Sequence, residues 1–145
     1  MYKHLLIATD GSELAGKAVV QGLTLAKSLD AKVTVVMVSE PWTAVVSGEA
    51  AIAFPIQDYE RAVTASASDV LAAAASAAKA KGVSCDTVHA KDQFPAEGII
   101  DAATKRGCDL IVMASHGRRG LKRLFLGSQT NSVVTQSTIP VLVCR

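Results

Sequence analysis

The chain contains the stretch Leu110-Ile111-Val112-Met113-Ala114, which follows Asp109 and ends before Ser115. A run of this length without a charged side chain is typical of a strand that is buried on both faces of a sheet. Four more short, mainly apolar runs have the same character: Leu5–Thr9, Lys32–Val38, Val83–His89 and Pro140–Cys144. The sequence therefore predicts five buried strands.

Helical patterns separate the predicted strands. Between Ser12 and Leu29 apolar residues recur at steps of three and four, and Ser12 is suited to be the N-cap. Three further helices are predicted at Asp58–Lys81, Pro95–Gly107 and Ser128–Thr138. Alternation of strands and helices predicts one α/β domain over residues 1–145. Its core is a doubly wound open sheet of five parallel strands with helices on both faces.

The composition limits the fold classes and the kinds of binding partner that fit the chain. Half of the 145 residues are hydrophobic but only 4% are aromatic, which suits helices on a parallel sheet better than an all-β sandwich. A net charge of +2 is too weak to argue for nucleic acid or an acidic membrane surface. No apolar stretch approaches the ~18 residues of a membrane span. Cys85, Cys108 and Cys144 form no CxxC pair, so we expect a cytoplasmic protein without membrane insertion, a disulfide framework or a zinc site.

One connection is longer than the others. Ser39–Gln57 joins the second strand to the second helix and carries several apolar residues. A connection of this length is either a loosely packed surface loop or a functional segment such as a lid. The sequence leaves both interpretations open.

The stretch after the fourth strand has the chemistry of a phosphate-binding loop. Ligands of open parallel sheets bind at the carboxyl ends of the strands. Here Gly117 and Gly127 permit close backbone approach or a positive φ, and Ser128 opens a helix whose N-terminus favours an anion. The nine residues between Gly117 and Gly127 include four cations: Arg118, Arg119, Lys122 and Arg123. A glycine turn with a solvated basic loop explains the same residues, and this stretch alone does not decide between the two interpretations.

Three segments together resemble the universal stress protein family. The signature G-x2-G-x9-G-[ST] matches Ala114, Gly117, Gly127 and Ser128, with alanine in place of the first glycine. The opening Leu6–Glu13 and the close Ser137–Val143 also match the family, so the resemblance spans the whole chain. It implies the strand order 3-2-1-4-5 of folds similar to the adenine nucleotide alpha hydrolases.

The resemblance also implies a ligand and its contacts. Asp10, with Ala8 and Thr9, would face the nucleoside of ATP, and Val38 would border the adenine. Gly117, Gly127 and Ser128 would hold the phosphates in the glycine loop. The other nucleotide-binding candidates around them are Met113, Ala114, Ser115, His116, Arg118, Gln129 and Thr130. Asp10 is the candidate ligand should Mg²⁺ accompany the phosphates. We interpret His116 as a surface loop residue without an acid–base role.

These features predict a non-catalytic, ATP-binding regulator of the stress response with an unidentified protein partner. The absence of the Walker lysine motif argues against an efficient ATPase, and slow hydrolysis stays an alternative. Ala114 keeps a second alternative open, a nucleotide-free dimeric adaptor. The apolar strand Pro140–Cys144 should lie at a sheet edge, so we expect a homodimer paired through it, unless Ser39–Gln57 covers that edge in a monomer.

Overall fold

Five parallel strands form a single sheet in the computed structural model, which describes residues 1–117 and 125–145. The order β3-β2-β1-β4-β5 confirms the expected topology. The strands are β1 (His4–Ala8), β2 (Lys32–Val38), β3 (Cys85–Ala90), β4 (Leu110–Ala114) and β5 (Val141–Cys144).

Six helices connect the strands within the described residues. They are α1 (Glu13–Leu29), α2 (Trp42–Val45), α3 (Ala50–Ala53), α4 (Ile56–Lys81), α5 (Pro95–Arg106) and α6 (Ser128–Gln136). The predicted signals for helix ends are confirmed. The Ser12 side chain accepts a hydrogen bond from the amide of Ala15, and Gly82 and Gly107 end α4 and α5 with φ values of 68° and 66°. None of the helices described is both long and apolar enough to cross a membrane.

The helices cover both faces of the sheet, as predicted. On β1, alternate side chains face opposite ways: Leu5 and Ile7 join the core beneath α1 and α4, whereas Leu6 and Ala8 join the core beneath α5 and α6. The same alternation holds on β4, where Val112 faces α1 and Ile111 faces α5. Cys144 and Cys108 are buried, one in each of these two cores.

The edge strands differ from the prediction. β1 and β4 are fully buried, but Asp86 and Thr87 of β3 and Leu142 of β5 are exposed, so burial on both faces is wrong for these two strands. The reason is topological, because β3 and β5 lie at the two edges of the sheet and each has one neighbouring strand.

The long connection is largely helical. Residues 39–57 contain α2, α3 and the first two residues of α4, which begins at Ile56 instead of Asp58. The segment folds back on α4: the Trp42 indole donates to the Phe54 carbonyl at 2.9 Å, and the rings of Phe54 and Tyr59 meet edge to face. It therefore leaves the sheet at β2 and packs beside α4, and the alternative in which it covers β5 at the other side of the sheet is wrong.

Candidate functional site

A cleft of about 350 Å³ lies at the carboxyl ends of the strands, on either side of β1. The strand order reverses at β1. From β1 the chain builds the sheet outward through β2 and β3, and it then crosses back to add β4 and β5 on the other side of β1. A crevice at this point is the usual ligand site of open α/β sheets. The lining residues are Ala8, Thr9, Asp10, Ala15, Val36, Val38, Glu40, Pro95, Ile99, Met113, Ala114, His116, Gly117, Gly127, Ser128, Gln129 and Thr130.

One end of the cleft is apolar. Val36 and Val38 of β2, on the other side of β1 from β4, line it together with Ile99 of α5. Val38 packs closely on α5 at Gly98, because a Cβ there would lie 2.8 Å from a methyl of Val38. The glycine thus lets α5 approach β2 and form a narrow slot of aliphatic side chains.

The other end is built by the N-terminus of α6. Gly127 is the N-cap and no side chain of the described residues caps the helix, so amides of the first turn point to the cleft without an intrahelical partner. The amide of Gly127 donates to the Ser115 carbonyl at 2.8 Å, which joins this helix end to β4. A helix N-terminus of this kind attracts phosphate through its amides and its dipole.

The two loop glycines allow neighbouring parts of the chain to approach their backbone closely. Gly127 has a φ of −58° and Gly117 is not among the glycines with positive φ, so the alternative of a positive φ is wrong. A Cβ on Gly117 would lie 2.7 Å from Oδ2 of Asp10, and one on Gly127 would lie 3.3 Å from the Ser115 carbonyl oxygen. The loop after β4 therefore packs directly against the turn after β1.

His116 is not the surface residue that the sequence suggested. Its ring is half-buried and lines the cleft, with Nδ1 2.9 Å from Oγ of Ser115. The other ring nitrogen, Nε2, is buried and has no hydrogen-bond partner among the residues that the structure describes. A buried imidazole nitrogen in this state costs free energy unless a ligand satisfies it.

Asp10 stands between the turn and the loop. Its Oδ1 accepts the amide of Ser12 at 2.9 Å, while Oδ2 faces Gly117. These contacts fix the carboxylate at the mouth of the cleft, between the apolar slot and the helix N-terminus. Within residues 1–117 and 125–145 no group of three or more His, Cys, Asp or Glu side chains could hold a metal ion.

The structure brings most of the predicted site residues into the cleft. Ser115 is the exception among those described: it is buried, its amide donates to Cys144, and its side chain supports His116. Arg118 and the other three cations lie outside the described residues, so their role stays a prediction. Gln129 also has a partner, because its Oε1 accepts the amide of Ala96 at 3.2 Å and ties α6 to α5. The residues found in the cleft lining are Ala8, Thr9, Asp10, Val38, Met113, Ala114, His116, Gly117, Gly127, Ser128, Gln129 and Thr130.

Ala114, predicted from the sequence to match the first motif glycine, is buried at the end of β4. Its side chain is buried and joins the core beneath α1, and its carbonyl accepts the hydroxyl of Thr130 at 2.9 Å. The methyl group is accommodated by the protein core, although the residue still contributes to the cleft wall.

Sequence reasoning missed five lining residues: Ala15, Val36, Glu40, Pro95 and Ile99. Glu40 and Pro95 follow β2 and β3, so the rule that ligands bind beyond the carboxyl ends of strands would have found them if applied to every strand. Nothing in the sequence indicated Ile99, because an apolar residue on a helix is normally interpreted as part of the hydrophobic core.

The backbone around Glu40 is held in place. The Tyr59 hydroxyl donates to the Glu40 carbonyl at 2.6 Å, and burial together with the Glu40 carboxylate raises the pKa of Tyr59. Neighbouring Ser39 places its hydroxyl 2.6 Å from Nε2 of His89, and burial lowers the pKa of that histidine, with Lys91 adding to the effect.

Comparison with known proteins agrees with this architecture. The model of the universal stress protein family matches residues 1–145. A relative is universal stress protein YxiE of Bacillus subtilis, 32% identical over 149 aligned positions that cover all of both chains. The solved structure of MJ0577 from Methanocaldococcus jannaschii has a TM-score of 0.81 at 27% identity and covers 99% of this chain and 96% of its own.

A second solved structure is described as a universal stress protein in complex with cAMP. It has a TM-score of 0.70 at 23% identity, with 99% of this chain and 97% of that chain covered, which shows a shared fold. The family model and the full-length similarity to YxiE show membership of a family in addition to a shared fold. This chain belongs to the universal stress protein family.

Proposed function

We propose that the cleft binds an adenine nucleotide, ATP in the cell, and that the protein is a non-catalytic, nucleotide-dependent regulator of the stress response. The observation that carries the proposal is the two-ended chemistry of the cleft, with an aliphatic slot at one end and a helix N-terminus at the other. A nucleotide has the same division, since its base is flat and weakly polar and its phosphates are anionic. The complex of a family member with cAMP supports the ligand class.

The dimensions and donors suit this ligand. A volume of about 350 Å³ lies within the range of small-molecule sites. The unpartnered Nε2 of His116 and the first amides of α6 supply hydrogen bonds to phosphate oxygens. Arg118 is proposed to add charge at this end. Magnesium, if bound with ATP, would take Asp10 and phosphate oxygens as its ligands.

The connection between β2 and α4 is the proposed switch. Glu40 lines the cleft and is followed at once by the segment that contains α2 and α3. A nucleotide that contacts Glu40 therefore acts on the start of this segment, where Val45 and Ile52 expose 46% and 85% of their surface. We infer that a regulatory protein partner binds here according to nucleotide occupancy, that the protein is cytoplasmic, and that two copies pair through β5.

The test is a charge placed at the helix N-terminus. Ser128→Asp introduces a carboxylate in the first turn of α6, where it favours the helix but repels phosphate. We expect this variant to keep or slightly raise the melting temperature and to lose at least about tenfold in ATP affinity, since like charges at this distance repel strongly. Isothermal titration calorimetry measures the affinity.

The neutral isostere Ser128→Asn is the matched control and should bind ATP nearly as the parent protein does. Equal ATP affinity in the Asp and Asn variants would show that the phosphates do not bind at the N-terminus of α6, and this would contradict the assignment. Gly127→Val is a poorer test, because its side chain would press on the Ser115 carbonyl and disturb the loop itself. Adenine absorbance in the purified protein gives an independent check of occupancy.

A further inference from the structure

Glu40 and the N-terminus of α6 follow strands that lie on opposite sides of β1. Glu40 follows β2, whereas α6 follows the loop after β4, and β1 separates these two strands in the sheet. Glu40 is half-buried, and it lines both the cleft, two positions after Val38, and a second hollow beside α4 that includes Tyr59. A carboxylate in such a place needs hydrogen-bond donors to offset its lost hydration.

The backbone before and at Glu40 is fixed by four hydrogen bonds. The amide of Ser39 donates to Ala90 at 2.8 Å and its carbonyl accepts the amide of Gln93 at 3.3 Å. The Ser39 hydroxyl meets the ring of His89, and the Glu40 carbonyl accepts the Tyr59 hydroxyl. Because these contacts use backbone groups and the neighbouring side chain, the Glu40 carboxylate is presented from a rigid base.

We propose that the Glu40 carboxylate accepts a hydrogen bond from the exocyclic amino group of adenine, and so selects the base and sets the direction in which the nucleotide lies. This inference rests on the proposed nucleotide site. An ionised carboxylate only accepts hydrogen bonds, and the amino group is the donor that adenine offers at its edge. The same negative charge repels phosphates, which are thereby directed to the helix N-terminus at the other end.

The experiment compares two ligands that differ in this amino group. The affinities of ATP and of purine riboside triphosphate, which lacks the amine, are measured by calorimetry for the full chain and its variants. The parent protein should bind ATP about tenfold more tightly, the usual scale for a hydrogen bond to a charged group. Glu40→Ala should bind the two ligands equally, and Glu40→Gln, which keeps a neutral acceptor, should fall between.

Glu60→Gln is the matched control for the loss of a negative charge. Glu60 is exposed on α4 and is absent from the cleft lining, so its variant should keep the parent preference. Circular dichroism confirms that each variant is folded.

Three outcomes overturn the inference, and they differ from one another. Unchanged affinities for both ligands in Glu40→Ala show that another group reads the amine. Equal losses for both ligands place Glu40 on the ribose instead. GTP is measured in the same way as a third ligand, and a preference for GTP over ATP that depends on Glu40 assigns the carboxylate to guanine, whose edge offers two donors. If the parent protein binds none of these nucleotides, the proposed function itself fails, and the inference fails with it.

Discussion

The ring of His4 is buried where β1 begins, and its Nε2 lies 2.9 Å from the hydroxyl of Thr34 on β2. Burial lowers the pKa of this histidine below its ordinary value of 6.5, and the charge of Lys32 lowers it further, against a smaller opposing effect of Asp109. The folded protein therefore favours the neutral ring. Below pH 6.5 the unfolded chain takes up the proton first, so stability is complete above that pH and decreases as the pH falls.

This sign gives a prediction for unfolding. We expect the urea concentration at the unfolding midpoint of the parent protein to decrease when the pH is lowered from 7.5 to 5.5. Asp109 makes no contribution in that window, because its carboxyl titrates below the ordinary value of 3.8 despite burial, owing to hydrogen bonds from the amides of Lys3 and His4. His4→Gln should reduce the fall. His89, whose pKa is also lowered by burial, accounts for the remainder, and a parent midpoint that does not change with pH contradicts the prediction.

Some residues of the candidate site could be predicted from the sequence, and others could not. The motif positions Gly117, Gly127 and Ser128 were predictable because their residue types are unusual and their spacing is fixed. Glu40 has no such mark: a glutamate after a strand is common, and its significance comes from the sheet order that places β2 beside β1 at the cleft. His116 was interpreted as exposed because the sequence does not reveal that the Ser115 hydroxyl and the cleft wall enclose it.

Two glycines of α1 lie in opposite environments, and they make a matched pair. A Cβ on Gly16 would have no heavy atom within 4 Å, whereas one on Gly22 would lie 2.6 Å from Cδ1 of Ile7 and 3.3 Å from Val112. Both glycines have ordinary helical φ values, so the difference is one of space alone. The absence of a side chain at Gly22 therefore lets α1 approach the sheet closely.

Replacing each glycine by alanine should change stability with opposite sign. Gly16→Ala should raise the free energy of unfolding by about 0.5–1 kcal/mol, because alanine restricts the unfolded chain and favours helix. Gly22→Ala should lower it by about 1–3 kcal/mol, since Ile7 is fully buried and cannot move aside without cost. Chemical denaturation measures both values, and a stabilised Gly22→Ala would show that α1 can shift on the sheet.

The elements that depend on local pattern were predicted well. The bounds of β2 and β4 agree with the sequence, and α5 begins at Pro95 as its missing amide suggests. Helices α2 and α3 were missed because four residues are too few for a periodic pattern, and their contacts come from Phe54 and Tyr59 elsewhere in the chain. The exposure of β3 was missed for a related reason, since edge position is a property of the whole sheet.

On the scale of the whole molecule, β5 is the strand most in need of a partner. It pairs with β4 on one side, and no strand of the described chain pairs with its other side. Leu142 leaves 40% of its surface exposed there, and Val134 of α6 leaves 42%. An apolar edge without protective charge favours pairing with a second strand, and a two-fold axis would satisfy both copies at once.

A homodimer through β5 is therefore expected, with a mass about twice the 15.1 kDa of the chain in light scattering at micromolar concentration. Leu142→Lys should shift the protein to the monomer, because the dimer would bury the ammonium group without a counter-charge. Val20→Lys is the control, since Val20 is similarly exposed, at 52%, but belongs to helix α1 and not to the edge strand. A parent mass near 15.1 kDa refutes the dimer. A dimer that survives Leu142→Lys but dissociates in Val20→Lys would place the interface on α1 instead.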